Sequence, residues 1–248
     1  MSVSRLLVAP ASLRAGELVI DGDDHHYLFR VRRLRPGDQV TLFDGAGGEA
    51  DAEVLRVEAA TAVLRAGAPR QHGPAGCRLR VAVGLIKGDR MDWCVQKLVE
   101  VGADEIVLVQ TARAVVRLDG DRAAARAARL EGVARDAARQ SRRATLPSIT
   151  LLPSFAGVLT RLADSDLRLL AHTQASGEDL RAALPAAPTA TAALFVGPEG
   201  GFTGDEIAAA LAGGWALVGL GQNVLRTETA AIVGAALLAA WARIGVMR

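Results

Sequence analysis

Along this 248-residue chain the apolar positions repeat with two different periods, and the change of period marks how the chain is organised. Up to about residue 70 the apolar runs are short and rich in β-type residues: "ELVI" (17–20), "QVTLFDG" (39–45), "ADAEVLRVE" (50–58) and "ATAVLRAG" (60–67). Gly, Asp and Pro separate them at the spacing expected of a small β-sandwich or barrel. Gly45-Ala46-Gly47-Gly48 reads as a hairpin turn between two of these strands. The stretch "APRQHGPAG" (68–76) then breaks the pattern with two prolines and two glycines, and it predicts an interdomain linker.

Beyond it the runs lengthen. "LRVAVGLI" (79–86) is almost continuously apolar, as a strand buried on both faces would be. In "KGDRMDWCVQKLVEVG" (87–102), Met91, Cys94, Val95, Leu98 and Val101 form a helical stripe, with Asp89 as the expected cap and Gly102 as the stop. "EIVLVQ" (105–110) completes a strand–helix–strand unit, and "LRLLAHT", "ALFVGPEGG" and "WALVGLG" continue the alternation into a C-terminal helix. This predicts an α/β domain with a mainly parallel sheet. Between these runs, residues 121–143 predict one long helix on which Leu130, Ala134 and Ala137 share a face with Ala123 and Ala127. Arg122, Arg126, Arg129, Arg135, Arg139, Arg142 and Arg143 fill the rest of its arc. Such a run fits a solvated surface, or a face that contacts phosphates.

Composition narrows the class. Half the residues are apolar and 23% are charged, enough for a soluble protein with a real core, while a net charge of +2 by itself does not argue for nucleic acid. Lys87 and Lys97 are the only lysines among 29 basic residues. Cys77 and Cys94 stand alone, outside any zinc-type spacing, so neither a metal site nor a disulfide framework is expected. The N-terminal apolar run is too short for a secretory signal, and the run from Ala230 to Ala242 falls short of the roughly 20 residues that span a bilayer. The expectation is a cytoplasmic protein with no membrane attachment.

Three loops follow apolar strands of the second domain: "AHTQASGE" (171–178), "VGPEGGFTGDEI" (196–207) and "GLGQNVLRTET" (219–229). In the second, Thr203 and Glu206 form a capping box, so the positive end of a helix faces the glycines. Ligands in open α/β sheets gather beyond the carboxyl ends of the strands, where these loops would meet. "GPEGGFTG" lacks the Gly-Lys-Ser/Thr ending of a triphosphate loop, and Val224 stands where a dinucleotide fingerprint has its third glycine or alanine. A nucleotide-like ligand of another kind fits better.

Taken together, "VGPEGGFTGDE" and "VGLGQNVLRTETAA" resemble the paired C-terminal motifs of the knotted SPOUT-type RNA methyltransferases, and within them the bacterial 16S ribosomal RNA uracil-N3 methyltransferases. "HHYLFRVRRLRPGDQVTLFDG" (25–45), "LIKGDRMDWCVQKLVEVGADEI" (85–106) and "ARQSRRATLPSI" (138–149) are similar to further segments of that family, so the resemblance runs along nearly the whole chain. It implies a PUA-like β-barrel that helps bind RNA at residues 1–70, and a trefoil-knotted SPOUT α/β methyltransferase domain at residues 77–248. It also implies a homodimer that acts on 16S ribosomal RNA of the small subunit, with S-adenosylmethionine in the knot loops. By position those loops contribute Leu170, His172 and Thr173; Val196, Gly197, Pro198, Glu199, Gly200 and Gly201; and Leu220, Gly221, Val224, Leu225 and Thr227. The implied RNA contacts are His25, His26, Arg30 and Arg33 in the N-terminal signature, with Arg139, Gln140, Arg142 and Arg143 in the central one. Two departures stand out: the family usually has Glu-Gln-Ser-Gly-Arg where this chain has Arg139 to Arg143, and often has arginine where Asn223 stands.

Methylating a uracil at N3 requires loss of a weakly acidic imide proton, which leaves negative charge on the two flanking carbonyl oxygens. A base near N3 and a cation near the oxygens are therefore expected. Arg226 is the candidate cation, or else a phosphate contact. Glu228 is a candidate base, although a carboxylate at a helix start also serves the helix dipole. Glu199 could orient the cofactor, and His25 and His26 could pack the barrel or touch RNA. A SPOUT ribose 2′-O-methyltransferase and a non-catalytic RNA-binding protein are the other readings.

Overall fold

The structure is a computed structural model that describes residues 3–73, 76–117, 120–173 and 179–244. Residues 174–178 of the first candidate loop and 74–75 of the expected linker lie outside the described residues. The chain divides into two compact units: Met1–Pro74 with Ala138–Leu146, and Ala75–Ala137 with Pro147–Arg248.

The first unit is a six-stranded sheet formed by β1 (Ser4–Leu7), β2 (Gly16–Ile20), β3 (Gln39–Phe43), β4 (Gly48–Val57), β5 (Ala62–Ala66) and β6 (Arg70–Gln71). The order is β1-β3-β4-β5-β2, with β6 on β4, and every pairing is antiparallel except β1 with β3. Alternate residues Val40 and Leu42, Ala52 and Val54, and Ala62 and Leu64 enter one core with Leu6, Ile20 and Leu28, as a period of two requires. A register shift between Val54 and Arg56 adds twist where β4 meets β5. The expected hairpin turn is present, with Asp44 Oδ1 accepting from the amides of Ala46 (2.7 Å) and Gly48 (2.8 Å). Between β2 and β3, helix α1 (Gly22–His25) runs into a π-helical turn over residues His26–Val31.

Two strands were not expected. β6 lies inside the stretch read as a linker, where Arg70 and Gln71 pair with Glu49 and Gly48. Four residues in β1 and two in β6 are too few to show a period, and only pairing reveals them. The return of residues 138–146 to this unit is also a tertiary fact. The turn at 45–48 captures them, with Leu146 N donating to Gly45 O (2.8 Å) and Gly47 N to Ala144 O (3.2 Å).

The second unit alternates strand and helix: β7 (Arg78–Gly84), α2 (Asp89–Val101), β8 (Glu105–Val109), α3 (Gly120–Ser141), β9 (Ser148–Leu152), α4 (Phe155–Arg161), β10 (Leu167–Ala171), α5 (Leu180–Ala183), β11 (Thr191–Val196), α6 (Gly204–Ala212), β12 (Ala216–Val218) and α7 (Thr227–Ile244). The last residues of α3 belong to the first unit. All six strands are parallel, in the order β12-β10-β11-β7-β8-β9. Phe195 points into a cluster with Phe155, Phe202 and Trp215, while its neighbour Leu194 faces α7 on the other side. Gly234 of α7 lets the helix lie close there, since a Cβ would come within 2.5 Å of Leu194 Cδ2. The expected stripes of α2 and α3 are buried at Met91, Cys94, Val95 and Leu98, and at Leu130, Ala134 and Ala137. Gly102 closes α2 in the left-handed conformation, but Gly88 rather than Asp89 is its cap. The edge strand β9 and the short helices α4 and α5 carried no recognised pattern.

At the amino ends of the strands, Glu105 is fully buried between arginines. It accepts from Arg80 Nε (2.8 Å) and Arg161 Nε (2.7 Å), while Arg80 also reaches Asp164 and Ser165. Asp164 Oδ1 is held by Arg80, which keeps its carboxyl below the usual carboxylate range. Replacing Glu105 with alanine would remove the one buried carboxylate that faces Arg80 and leave that guanidinium only the exposed Asp164 as counter-charge. The expected outcome is a loss of about 3–5 kcal/mol in unfolding free energy, measured by urea denaturation.

Candidate active site

The carboxyl ends of β10, β11 and β12 lie side by side, and the loops that leave them enclose one cleft of about 820 Å³. Its walls come from residues 171–173, 196–202 and 219–227, joined by Arg113, Gly204, Ile207 and Ala230. The loops are tied to the strands and to each other by peptide groups. His172 N donates to Val218 O (3.0 Å), Leu180 N to Gly219 O (3.0 Å) and Gly201 N to Pro198 O (2.8 Å).

Three glycines explain how the cleft is shaped. A Cβ on Gly84, at the end of β7, would meet Pro198 N at 2.4 Å and Pro198 Cδ at 2.5 Å, so the loop lies directly against the β7 backbone. A Cβ on Gly197 would meet the Phe202 ring at 3.2 Å, and that ring is locked in the aromatic cluster, 4.9 Å from Phe195. Gly221, with φ +117°, faces open space and offers its backbone to the cleft. Below the loop, Thr203 and Glu206 form the expected capping box, and Glu206 also accepts from Ala112 N (3.0 Å).

Of the positions proposed to bind a cofactor, His172, Thr173, Val196 to Gly201, Leu220, Gly221, Val224, Leu225 and Thr227 all line the cleft. Leu170 does not: it is fully buried in the core beneath. Arg226 is on the cleft wall, and its carbonyl starts α7 by accepting from Ala230 N (2.8 Å). Glu228 is not among the lining residues. It is buried, with Oε1 3.6 Å from Arg90 Nη1 of α2, and its charge helps burial push the Cys94 thiol up to about 12. Placed there, its carboxylate faces the protein interior rather than the cleft. The cleft also contains Arg113, which the sequence reading passed over. Its Nη1 donates to Gly200 O (3.1 Å), and a Cβ on Gly200 would meet Arg113 Cβ at 3.0 Å. A single arginine in a polar loop has no pattern of its own, so only the fold reveals it.

The positions proposed to contact RNA gather in the first unit. Arg139 Nη2 pairs with Asp24 Oδ1 (3.1 Å) and its guanidinium lies 5.1 Å from the Tyr27 ring centroid, which joins the central signature to the N-terminal one. His26, Arg30, Arg33, Gln140 and Arg142 are exposed around this junction, and Arg143 reaches Thr145 Oγ1 (3.2 Å). His25 differs: it is buried, its Nε2 is 3.2 Å from Glu58 O and its ring is 5.0 Å from Phe29, so it packs the unit.

Arg33 (φ 58°) and Arg142 (φ 61°) are the non-glycine residues with left-handed backbone among those described. Arg142 ends α3 in this conformation at the position where the resembled family usually has glycine. Arg142→Gly is expected to raise stability by up to about 1 kcal/mol in urea melts. The same variant should bind RNA more weakly, with a salt slope shallower by about one.

Comparison with known proteins bears on both units. A family model described as an RNA methyltransferase domain matches residues 74–239, and one described as an RNA methyltransferase PUA domain matches residues 20–65. Ribosomal RNA small subunit methyltransferase E of Mycobacterium bovis is 37% identical over 221 residues, covering 87% of this chain and 83% of its own. The protein of the same name from Bacillus subtilis is 32% identical over 217 residues, covering 85% of each. The crystal structure of Neisseria gonorrhoeae ribosomal RNA small subunit methyltransferase E bound to S-adenosyl methionine matches with a TM-score of 0.85 at 28% identity, over 96% of this chain and 97% of that one. With both units matched, and with relatives that align along most of their length, the chain belongs to the RNA methyltransferase family that includes the small subunit methyltransferases E.

Proposed function

We propose that this protein transfers a methyl group from S-adenosylmethionine to N3 of one uridine in the decoding region of 16S ribosomal RNA. The observation that carries this reading is the single cleft in which three strand-end loops meet beside Arg226. Its volume of about 820 Å³ lies within the range of small-molecule sites, and its walls mix peptide groups and glycine backbone with apolar Val196, Ile207, Leu220 and Leu225. That combination suits an adenosine joined to an amino acid. The cofactor, when bound, supplies a methyl group already activated on a sulfonium.

The remaining chemistry falls to the chain. Residues 172–173, 196–201, 220–221, 224–225 and 227 hold the cofactor. Arg226 and Arg113 are the arginines on the cleft wall. Their role is to stabilise the negative charge that spreads over the uracil carbonyls as the N3 proton leaves. The other ionisable groups lining the cleft among the described residues are His172 and Glu199; Glu199 is paired with Arg90 (2.8 Å), and we take His172, rather than Glu228, as the candidate acceptor of that proton. The junction of residues 26–33 with 139–143 holds the RNA through its phosphates. Acting on ribosomal RNA, the protein works in the cytoplasm. It does so as a homodimer, to which Trp93 of α2 and Leu237 of α7 contribute exposed apolar surface.

Nucleoside analysis of ribosomal RNA from cells lacking this protein tests the target. The expected result is loss of 3-methyluridine from 16S RNA. Its persistence, or loss of a ribose methyl group instead, would overturn the assignment. Arg226→Ala should keep its affinity for S-adenosylmethionine within a few-fold by calorimetry while kcat falls about 100-fold or more, the scale expected when one transition-state donor is removed.

A further inference from the structure

Glu228 lies outside the cleft, and the group it faces is Arg90, to which no role was assigned from the sequence. Arg90 stands in the first turn of α2, after Gly88 has turned the chain with φ +65°. A cation there opposes the helix dipole, which favours acids such as the neighbouring Asp89 and Asp92. Two carboxylates from elsewhere offset this. Arg90 Nη2 donates to Glu199 Oε1 at 2.8 Å, and Arg90 Nη1 lies 3.6 Å from Glu228 Oε1.

The two partners are unequal. Glu199 belongs to the glycine-rich loop and is 39% exposed, so its pair with Arg90 alone would contribute little. Glu228 is 6% exposed, and its Oε2 has no hydrogen-bonding partner among the described residues. A buried carboxylate needs a counter-charge, and the one facing it from α2 is Arg90, with the Cys94 thiol one turn further along. The guanidinium is therefore held from inside by a rigid helix start and reaches outward to a loop.

We infer that Arg90 is a positioning residue for the cleft: its guanidinium clamps Glu199 of the glycine-rich loop to Glu228 at the start of α7, and so sets the gap between that loop and the wall carrying Arg226 and Thr227. Glu228 then anchors the clamp and takes no proton from the substrate. The inference rests on the reading that S-adenosylmethionine occupies this cleft, and its test separates the two.

Amide hydrogen exchange on the ligand-free protein reads the clamp directly. In Arg90→Met, exchange across residues 197–202 should rise about tenfold or more, while β7 and β11 stay protected. Unchanged exchange overturns the clamp, whether or not the cofactor binds. Calorimetry with S-adenosylmethionine then reads the coupling, and a wild-type protein that fails to bind would sink the cleft assignment and not the clamp. Arg90→Met and Glu199→Gln should each weaken binding roughly tenfold, and the double variant no further, since both remove the same contact. Additive losses, or wild-type affinity in either single variant, contradict the inference. In kinetics the Arg90→Met defect should appear in KM for the cofactor with kcat near wild type at saturation, and Arg90→Lys should restore part of it. If Arg90→Met fails to fold, Arg90→Met/Glu228→Gln, which removes the buried charge with its partner, takes its place in both measurements.

Discussion

The working end of the second unit depends on how closely two backbones approach where β7 ends. Gly84 and Pro198 are so near that any side chain at residue 84 would overlap the proline ring and nitrogen. β7 and β11 are paired neighbours in the parallel sheet, so this contact continues their ladder past its last hydrogen bond. It places the glycine-rich loop across the strand ends instead of away from them. Phe202 secures the other end of that loop in the aromatic core. The cleft is therefore shaped mostly by backbone, which suits a site that must bring peptide groups close to a ligand.

Some charged pairs in this protein are buried where they hold elements together, while other charged residues are exposed where RNA is proposed to bind. Glu105 with Arg80 and Arg161 ties β7, β8 and α4 at the amino ends of the strands. Arg5 with Glu49 does the same in the first unit, where Arg5 also donates to Arg143 O (3.2 Å). Such groups are costly to bury, so each is paired with an opposite charge and further hydrogen bonds. Arg30, Arg33 and Arg142 are exposed instead, and two of them adopt a backbone conformation that disfavours a side chain. Backbone strain of this kind clusters at functional sites, which fits the RNA contact proposed for Arg33 and Arg142.

Several features were legible in the chain because they have a local cause. The shift from short β-type runs to long apolar strands separates the barrel-like sheet from the parallel one. The Thr203–Glu206 capping box and the Gly102 stop formed as read. Leu130, Ala134 and Ala137 of α3 are buried, whereas Ala123 and Ala127 are only partly covered and the helix ends at Ser141, before Arg142 and Arg143. The three cleft loops were legible because all three follow apolar strands of one parallel sheet, whose carboxyl ends bring such loops together. Beyond local patterns the chain was silent. Arg113 and Arg90 are single arginines whose partners lie far along the chain, and β1, β6 and β9 are edge or very short strands that only a partner defines.

Arg226-Thr227-Glu228 shows where the division falls. Sequence alone determined that a helix begins there, because a hydroxyl and a carboxylate meet the free amides and dipole of a first turn wherever the chain lies. It could not decide which way each side chain faces, since helical geometry turns adjacent residues about 100° apart and only packing selects the buried side. The tertiary structure put Arg226 on the cleft wall and turned Glu228 inward to Arg90, 138 residues earlier in the chain. One motif thus supplies a group that faces the ligand space and another that faces the core.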